Sequence, residues 1–276
     1  MTAIEWTDAT WNPVTGCSKV SPGCAHCYAE RLSLRFGWSK LPWTPENAEA
    51  NVVLHPDRLD KPLRWRKPRM VFVNSMSDLF HELVPDDFLR TAFGVMASSE
   101  HTYQVLTKRP ERARDFFERH HWRAGLMPWV APSGRTDLLY RFPVPNDLAD
   151  DPGGIPVDHP PENIWLGTSI ENNRWTIRAD ALRETPAAVR FVSAEPLLGP
   201  LLDLDLTGID WLIVGGESGV GARAMHAQWA KDLRDRAVEN GTAFFFKQWG
   251  GRTPKAGGRT LDGVIWDEYP QPKVPV

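Results

Sequence analysis

The chain has 276 residues, 42% of them apolar and 13 of them Trp, enough for one large core, and a single domain over 1–276 is expected. Its formal net charge of −3 neither requires nor excludes a polyanionic partner, because steering depends on where the charge sits. The opening stretch MTAIEWTDATWNP has no basic head followed by an apolar core, and no run approaches the roughly 20 apolar residues that span a bilayer, so neither a secretory signal nor a membrane partner is expected.

In chain order, short apolar runs predict strands near 8–12 and at 51–54 (NVVL), 70–74 (MVFVN), 102–106 (TYQVL), 164–168 (IWLGT), 189–193 (VRFVS), 211–215 (WLIVG) and 243–247 (AFFFK), eight in all. Helical patterns lie at 25–36, 86–98, 110–121, 172–184 and 227–240. In the last, Trp229, Leu233 and Val238 mark the apolar face and Gly241 supplies the stop. Apolar strands alternating with helices predict an α/β fold with a parallel sheet, a TIM-like (β/α) barrel, complete or partial. Residues 124–161 hold eight of the 24 prolines and no periodic apolar face, which predicts an insertion or lid within that domain. Residues 196–210 are too short for a full crossover helix, and the tail YPQPKVPV is expected to be extended and mobile.

In a parallel barrel the residues just past each strand converge on one mouth. Those positions are Asn12, then Asn74, Ser75 and Asp78, then Thr107 and Lys108, then Thr168, Ser169 and Glu171, then Ser193 and Glu195, Glu217 and Ser218, and Lys247 with Gln248. Glu195 and Glu217 follow apolar strands directly, where an unpaired carboxylate is costly, and Lys108 or Lys247 are the expected partners.

All three cysteines, Cys17, Cys24 and Cys27, fall in the loop after the first predicted strand, at that same mouth. An odd, clustered set without a signal sequence points to reduced thiols in the cytoplasm, available as metal ligands. Two readings of the centre stand side by side. Three cysteines on a four-iron, four-sulfur (4Fe-4S) cube leave one iron free, whereas a structural zinc needs a fourth ligand such as His26 or His55. A packing role for the thiols is the third.

Together with VFVNSMSDLF, VLTKRP, LGTSIEN, FVSAEPLLGP, IVGGESG and FFFKQWG, the stretch TGCSKVSPGCAHCYAERL resembles a family of three-cysteine-motif proteins of phages and bacteria. That family is similar to the radical S-adenosylmethionine enzymes and, more distantly, to spore photoproduct lyase. The resemblance covers nearly the whole chain outside 124–161. It implies a cluster on Cys17, Cys24 and Cys27, S-adenosylmethionine at the open iron, an external electron donor, and a deoxyadenosyl radical that takes hydrogen from a substrate. Asn74, Ser75, Lys108, Ser169, Glu195, Glu217 and Lys247 are then the expected cofactor-binding residues. The sequence departs from the superfamily pattern in three places. Six residues, not three, separate the first two cysteines, and His26 stands where an aromatic is usual. GGE at 215–217 follows the seventh predicted strand instead of the second, so the role of the similar cofactor-amine motif is not transferred to it.

The segment RLDKPLRWRKPR (58–69) has six basic residues in twelve, with Trp65 between Arg64 and Arg66. Cations around an aromatic can pair phosphates while a base stacks, which makes these three residues a candidate nucleic-acid contact. A reading of a different class follows: a nucleic-acid-binding protein without turnover, whose first loop is pinned by zinc or a cluster.

Overall fold

The computed structural model describes residues 4–120, 160–253 and 256–271. The predicted insertion at 124–161 lies outside them, apart from its last two residues. No helix among the described residues is long and apolar enough to cross a membrane.

Seven strands form one parallel sheet in the order β1 (Ala9–Trp11), β4 (Met70–Val73), β5 (Thr102–Thr107), β6 (Ile164–Ser169), β7 (Val189–Ala194), β8 (Trp211–Gly215) and β9 (Ala243–Gln248). Among the described residues β1 and β9 do not pair, so the curled sheet is an open half-barrel, a partial TIM-like fold. The helices α1 (Tyr28–Arg35), α2 (Ala48–Asn51), α3 (Asp86–Ala97), α4 (Pro110–Arg119), α5 (Arg178–Glu184) and α6 (Ala227–Asn240) lie between the strands in sequence. Between β7 and β8, residues 196–210 carry no helix, as their length requires.

The eighth predicted strand does not join the sheet. Residues 51–54 supply only β3 (Val53–Leu54), which pairs antiparallel with β2 (Val14–Thr15). The run begins inside the end of α2 and stops before Pro56, so it is too short to bury a face, and Val53 stays exposed. Close approach explains Gly16 beside this hairpin: its φ is +82°, and a Cβ there would lie 1.8 Å from the Asn51 carbonyl oxygen.

The two-residue period of the strands divides the core. Val71, Val73, Tyr103, Val105, Leu166, Val192, Leu212, Val214, Phe244 and Phe246 belong to the large apolar layer shared with the helices. Their neighbours Phe72, Trp165, Val189, Phe191, Trp211, Ile213 and Phe245 point into the half-barrel, where Trp6 packs against Phe72 at 4.8 Å and Trp211 at 6.1 Å between ring centroids. Gly167 faces the same interior, and a Cβ there would lie 2.4 Å from the Phe191 ring. Gly167→Ala is therefore expected to destabilise the fold by about 1–3 kcal/mol in urea unfolding, and an unchanged midpoint would show that the ring can yield.

Two further expectations are corrected. Val238 is exposed, and the buried face of α6 is Ala230, Leu233 and Ala237. Nine residues at about 100° each carry Val238 to the side opposite Trp229. The start of the tail is packed, continuing from residues just ahead of it, where Phe246 N–H donates to the Trp266 carbonyl at 2.8 Å and covers the free edge of β9. The Tyr269 ring lies 5.2 Å from that of Trp211, and Pro270 is buried. Residues 272–276 lie outside the described residues.

Candidate metal centre at the strand ends

The inward positions that are apolar low in the half-barrel become polar one strand-end later. A cavity of about 280 Å³ opens there, floored by Trp6, Phe72 and Leu106. Cys17, Cys24 and Cys27 line it, as do all seven strand-end residues named from the sequence: Asn74, Ser75, Lys108, Ser169, Glu195, Glu217 and Lys247. Arg64, Trp65 and Arg66 do not.

The carboxylates of the mouth are paired. Glu195 meets Lys247 at 2.8 Å and accepts from the Ser193 hydroxyl at 3.0 Å, so one of the two expected lysines is its partner. Among the described residues Glu217 pairs with no lysine. Arg223 holds both its oxygens, and His26 Nδ1 lies 3.0 Å from Oε2. Burial pushes the Glu217 carboxyl up, but the Arg223 and His26 contacts outweigh it and bring the group down to about 2. Arg223 also donates to the Pro22 carbonyl at 3.1 Å, which ties the loop after β8 to the cysteine loop.

Glu171, completely buried, anchors that loop from the other side. It accepts from Ser21 Oγ at 2.6 Å and Lys108 Nζ at 2.6 Å, and from the buried Arg178 at 3.2 Å. Gly23 sits so close that a Cβ would lie 2.4 Å from Glu171 Oε1. Arg178 in turn lies 4.1 Å over the Trp175 ring and donates to the Ser169 carbonyl.

Arg109 is a residue that the strand-end pattern does not single out, although it follows Lys108 directly. It is buried, bridges Asp78 at 3.2 Å and Glu82 at 2.8 Å, donates to Ser18 Oγ at 3.0 Å and reaches Cys17 Sγ at 3.8 Å. Burial pushes the Cys17 thiol up to about 12; Asp78 adds to the rise and Arg109 opposes it. Cys27 stands at the N-cap of α1. Burial raises its pKa too, while the N–H groups of Glu30 and Ala29 draw it down.

The three thiols are free. Among the described residues no group of three or more His, Cys, Asp or Glu side chains is arranged to hold a metal ion. Of the histidines offered as a fourth zinc ligand, His26 lines the cavity and engages Glu217 through Nδ1, which leaves Nε2 as a donor, whereas His55 does not line it and its Nε2 meets the Thr15 hydroxyl at 2.8 Å. Two buried donors of residues that line the cavity, Asn74 Nδ2 and Trp6 Nε1, have no partner among the described residues. A buried donor left unpaired is costly, and both can donate to acceptor atoms of a group in the cavity. Sulfur donors on one wall with unsatisfied N–H groups on another fit a group that takes thiolates from one side and leaves its other face to the cavity.

The basic segment runs from Arg58, which donates to the Asn12 carbonyl at 3.4 Å, to the N-terminus of β4, so Arg64, Trp65 and Arg66 lie toward the other end of the sheet. Its aromatic is committed: Trp65 packs 5.4 Å from His101 and 5.2 Å from the Arg69 guanidinium, and Arg64 pairs with Asp60 at 2.6 Å.

Residues 1–270 match the family described as Protein of unknown function (DUF5131). No curated protein and no solved structure matches the chain. Nothing in these comparisons links it to the radical S-adenosylmethionine enzymes or to spore photoproduct lyase.

Proposed function

We propose that this chain, which belongs to the DUF5131 family, holds an iron–sulfur cluster on Cys17, Cys24 and Cys27 and binds S-adenosylmethionine in the adjoining cavity as a radical enzyme. The observation that carries the reading is the meeting of three free thiols with a polar wall and two unpartnered buried donors in one cavity. When bound and reduced, such a cluster supplies the electron that splits the sulfonium into methionine and a deoxyadenosyl radical.

The protein's part is to orient, to set charge and to exclude water. Arg109, fixed by Asp78 and Glu82, brings positive charge to the Cys17 sulfur and favours its thiolate. Glu195 keeps acceptor capacity beyond Lys247 and Ser193, since each carboxylate oxygen can take a second donor, and so suits a ribose hydroxyl. Glu217 is more fully used, with Arg223 on both oxygens and His26 on Oε2, and through Arg223 it serves as a clamp on the cysteine loop. The aromatic floor of Trp6 and Phe72 keeps bulk water from the buried side.

The test is anaerobic reconstitution followed by iron, sulfide and zinc analysis, then deoxyadenosine release with dithionite. Wild type is expected to take up iron and release deoxyadenosine. Glu195→Gln is expected to keep its iron yet bind S-adenosylmethionine more weakly by about one to two decades, from the loss of one hydrogen bond of about 1–3 kcal/mol. One tightly held zinc per chain with no iron uptake would overturn the cluster. An intact cluster that binds S-adenosylmethionine without ever releasing deoxyadenosine would leave a binding role in place of the radical one.

A further inference from the structure

The chain from Tyr28 to Trp43 leaves the cavity wall and returns to it, since both residues line the cavity. In between, α1 runs eight residues, about 12 Å, and the turn beyond it exposes two aromatic rings to solvent. Phe36 is 57% exposed and Trp38 66%, and their rings stack at 5.2 Å with an interplanar angle of 30°. The backbone beneath is ordered by local bonds: Trp38 N–H donates to the Ser33 carbonyl at 2.8 Å, and Trp43 Nε1 to Ser39 Oγ at 3.0 Å. The rings are therefore held outward and are not required to fill the core.

Arg31, Arg35 and Lys40, on α1 and the turn that carries the rings, are exposed, and none has an ion-pair partner among the described residues. Arg35 lies 5.7 Å over the Phe36 ring. The Arg31 guanidinium lies against Gly219, in the loop that carries Glu217 and Ser218 at the mouth. A chain of net charge −3 thus gathers unpaired positive charge and flat rings at the outer end of α1, from which Arg31 reaches the loop at the cavity mouth.

We propose that the Phe36–Trp38 ring pair with Arg31, Arg35 and Lys40 is a binding surface for single-stranded nucleic acid at the outer end of α1. Exposed rings offer stacking to a base only when the base is unpaired, and cations spaced around them match phosphates along one strand. A duplex hides its base faces from such a surface. An acidic peptide would use the cations but has no use for a stacked ring pair. The inference stands apart from the cluster, because none of these five residues touches the cysteines' sulfur atoms.

The experiment is fluorescence anisotropy of a short labelled single strand of mixed sequence, and of its duplex, across a salt series, with the full chain before and after iron reconstitution. The single strand is expected to bind more tightly than the duplex in both forms. Phe36→Ala and Trp38→Ala are each expected to weaken single-strand binding roughly 5- to 150-fold, the range of base–aromatic stacking. Arg35→Gln with Lys40→Gln is expected to flatten the slope of log K against log salt by about 0.7 for each phosphate no longer neutralised. Arg64→Ala with Arg66→Ala, at the other end of the sheet, is expected to leave binding unchanged. Because Phe36 and Trp38 are exposed, unfolding midpoints should match wild type and separate a binding defect from a folding one. Equal affinity for duplex, or affinity untouched by both ring variants, overturns the proposal. So does binding to phosphatidylglycerol vesicles but not to the oligonucleotide when that binding is lost in Trp38→Ala, since the surface would then be one for lipid.

Discussion

Cys24→Ala is expected to reduce iron uptake to near zero. Cys24 ends a short turn of 3-10 helix (Pro22–Cys24), and with Cys17 and Cys27 it completes the sulfur donors of the cavity. His26 lines the same cavity with Nε2 free among the described residues, so Cys24→Ala with His26→Ala is measured beside the single variant to exclude a substitute ligand. Removal of one thiolate leaves two, too few to hold a cube against the solvent that reaches this half-buried loop. The fold itself should survive, because the loop stays fastened by Ser21 to Glu171 and by Pro22 to Arg223. The measurement is iron and sulfide per chain after anaerobic reconstitution, with the thermal midpoint followed in parallel. Wild-type iron content in Cys24→Ala would remove the cysteines from the role proposed for them, whereas loss of iron together with collapse of the fold would point to a structural metal.

Glu171→Ala is expected to cost the fold about 3–5 kcal/mol, the usual result of breaking a buried ion pair from one side. The variant leaves the Arg178 guanidinium, 2% exposed, with a carbonyl and a tryptophan ring but no anion, and frees Lys108 and Ser21. Denaturant unfolding measures the loss, and a change below about 1 kcal/mol would mean that water or relaxation replaces the carboxylate. The same group gives an acid dependence. Burial tends to raise the Glu171 carboxyl, but Lys108, Ser21 and Arg178 together hold it below the ordinary value of 4.5. A depressed folded-state pKa contributes stability that is present above that ordinary value and is lost as pH falls from it through the folded one. Glu171→Ala should therefore be less sensitive than wild type over that acid range.

These variants also separate what was legible in the amino-acid order from what was not. Apolar runs such as WLIVG and AFFFK, bounded by polar residues and separated by 3.6-period segments, carry the strands, helices and parallel pairing, because both periods are local properties of the backbone. The mouth was legible for the same reason: once strands are placed, their C-terminal neighbours are placed too, and Asn74, Ser75, Lys108, Ser169, Glu195, Glu217 and Lys247 come to one cavity. The cysteines share it because they follow the first of those strands.

Partnerships across the chain were decided only in three dimensions. Arg109 reaches Cys17 from 92 residues away, and His26 meets Glu217 across 191. No periodicity encodes such pairs, since they depend on which loops the closed packing brings together. Whether an aromatic is buried or presented follows the same rule. Trp65, set among cations in sequence, is taken up by His101 and Arg69, while Phe36 and Trp38, which no sequence pattern sets apart, are left facing water. Among the described residues the sheet stops at seven strands because residues 51–54 pair with β2 beside the cysteine loop, and two residues of strand cannot bury the face that closure of a barrel would require.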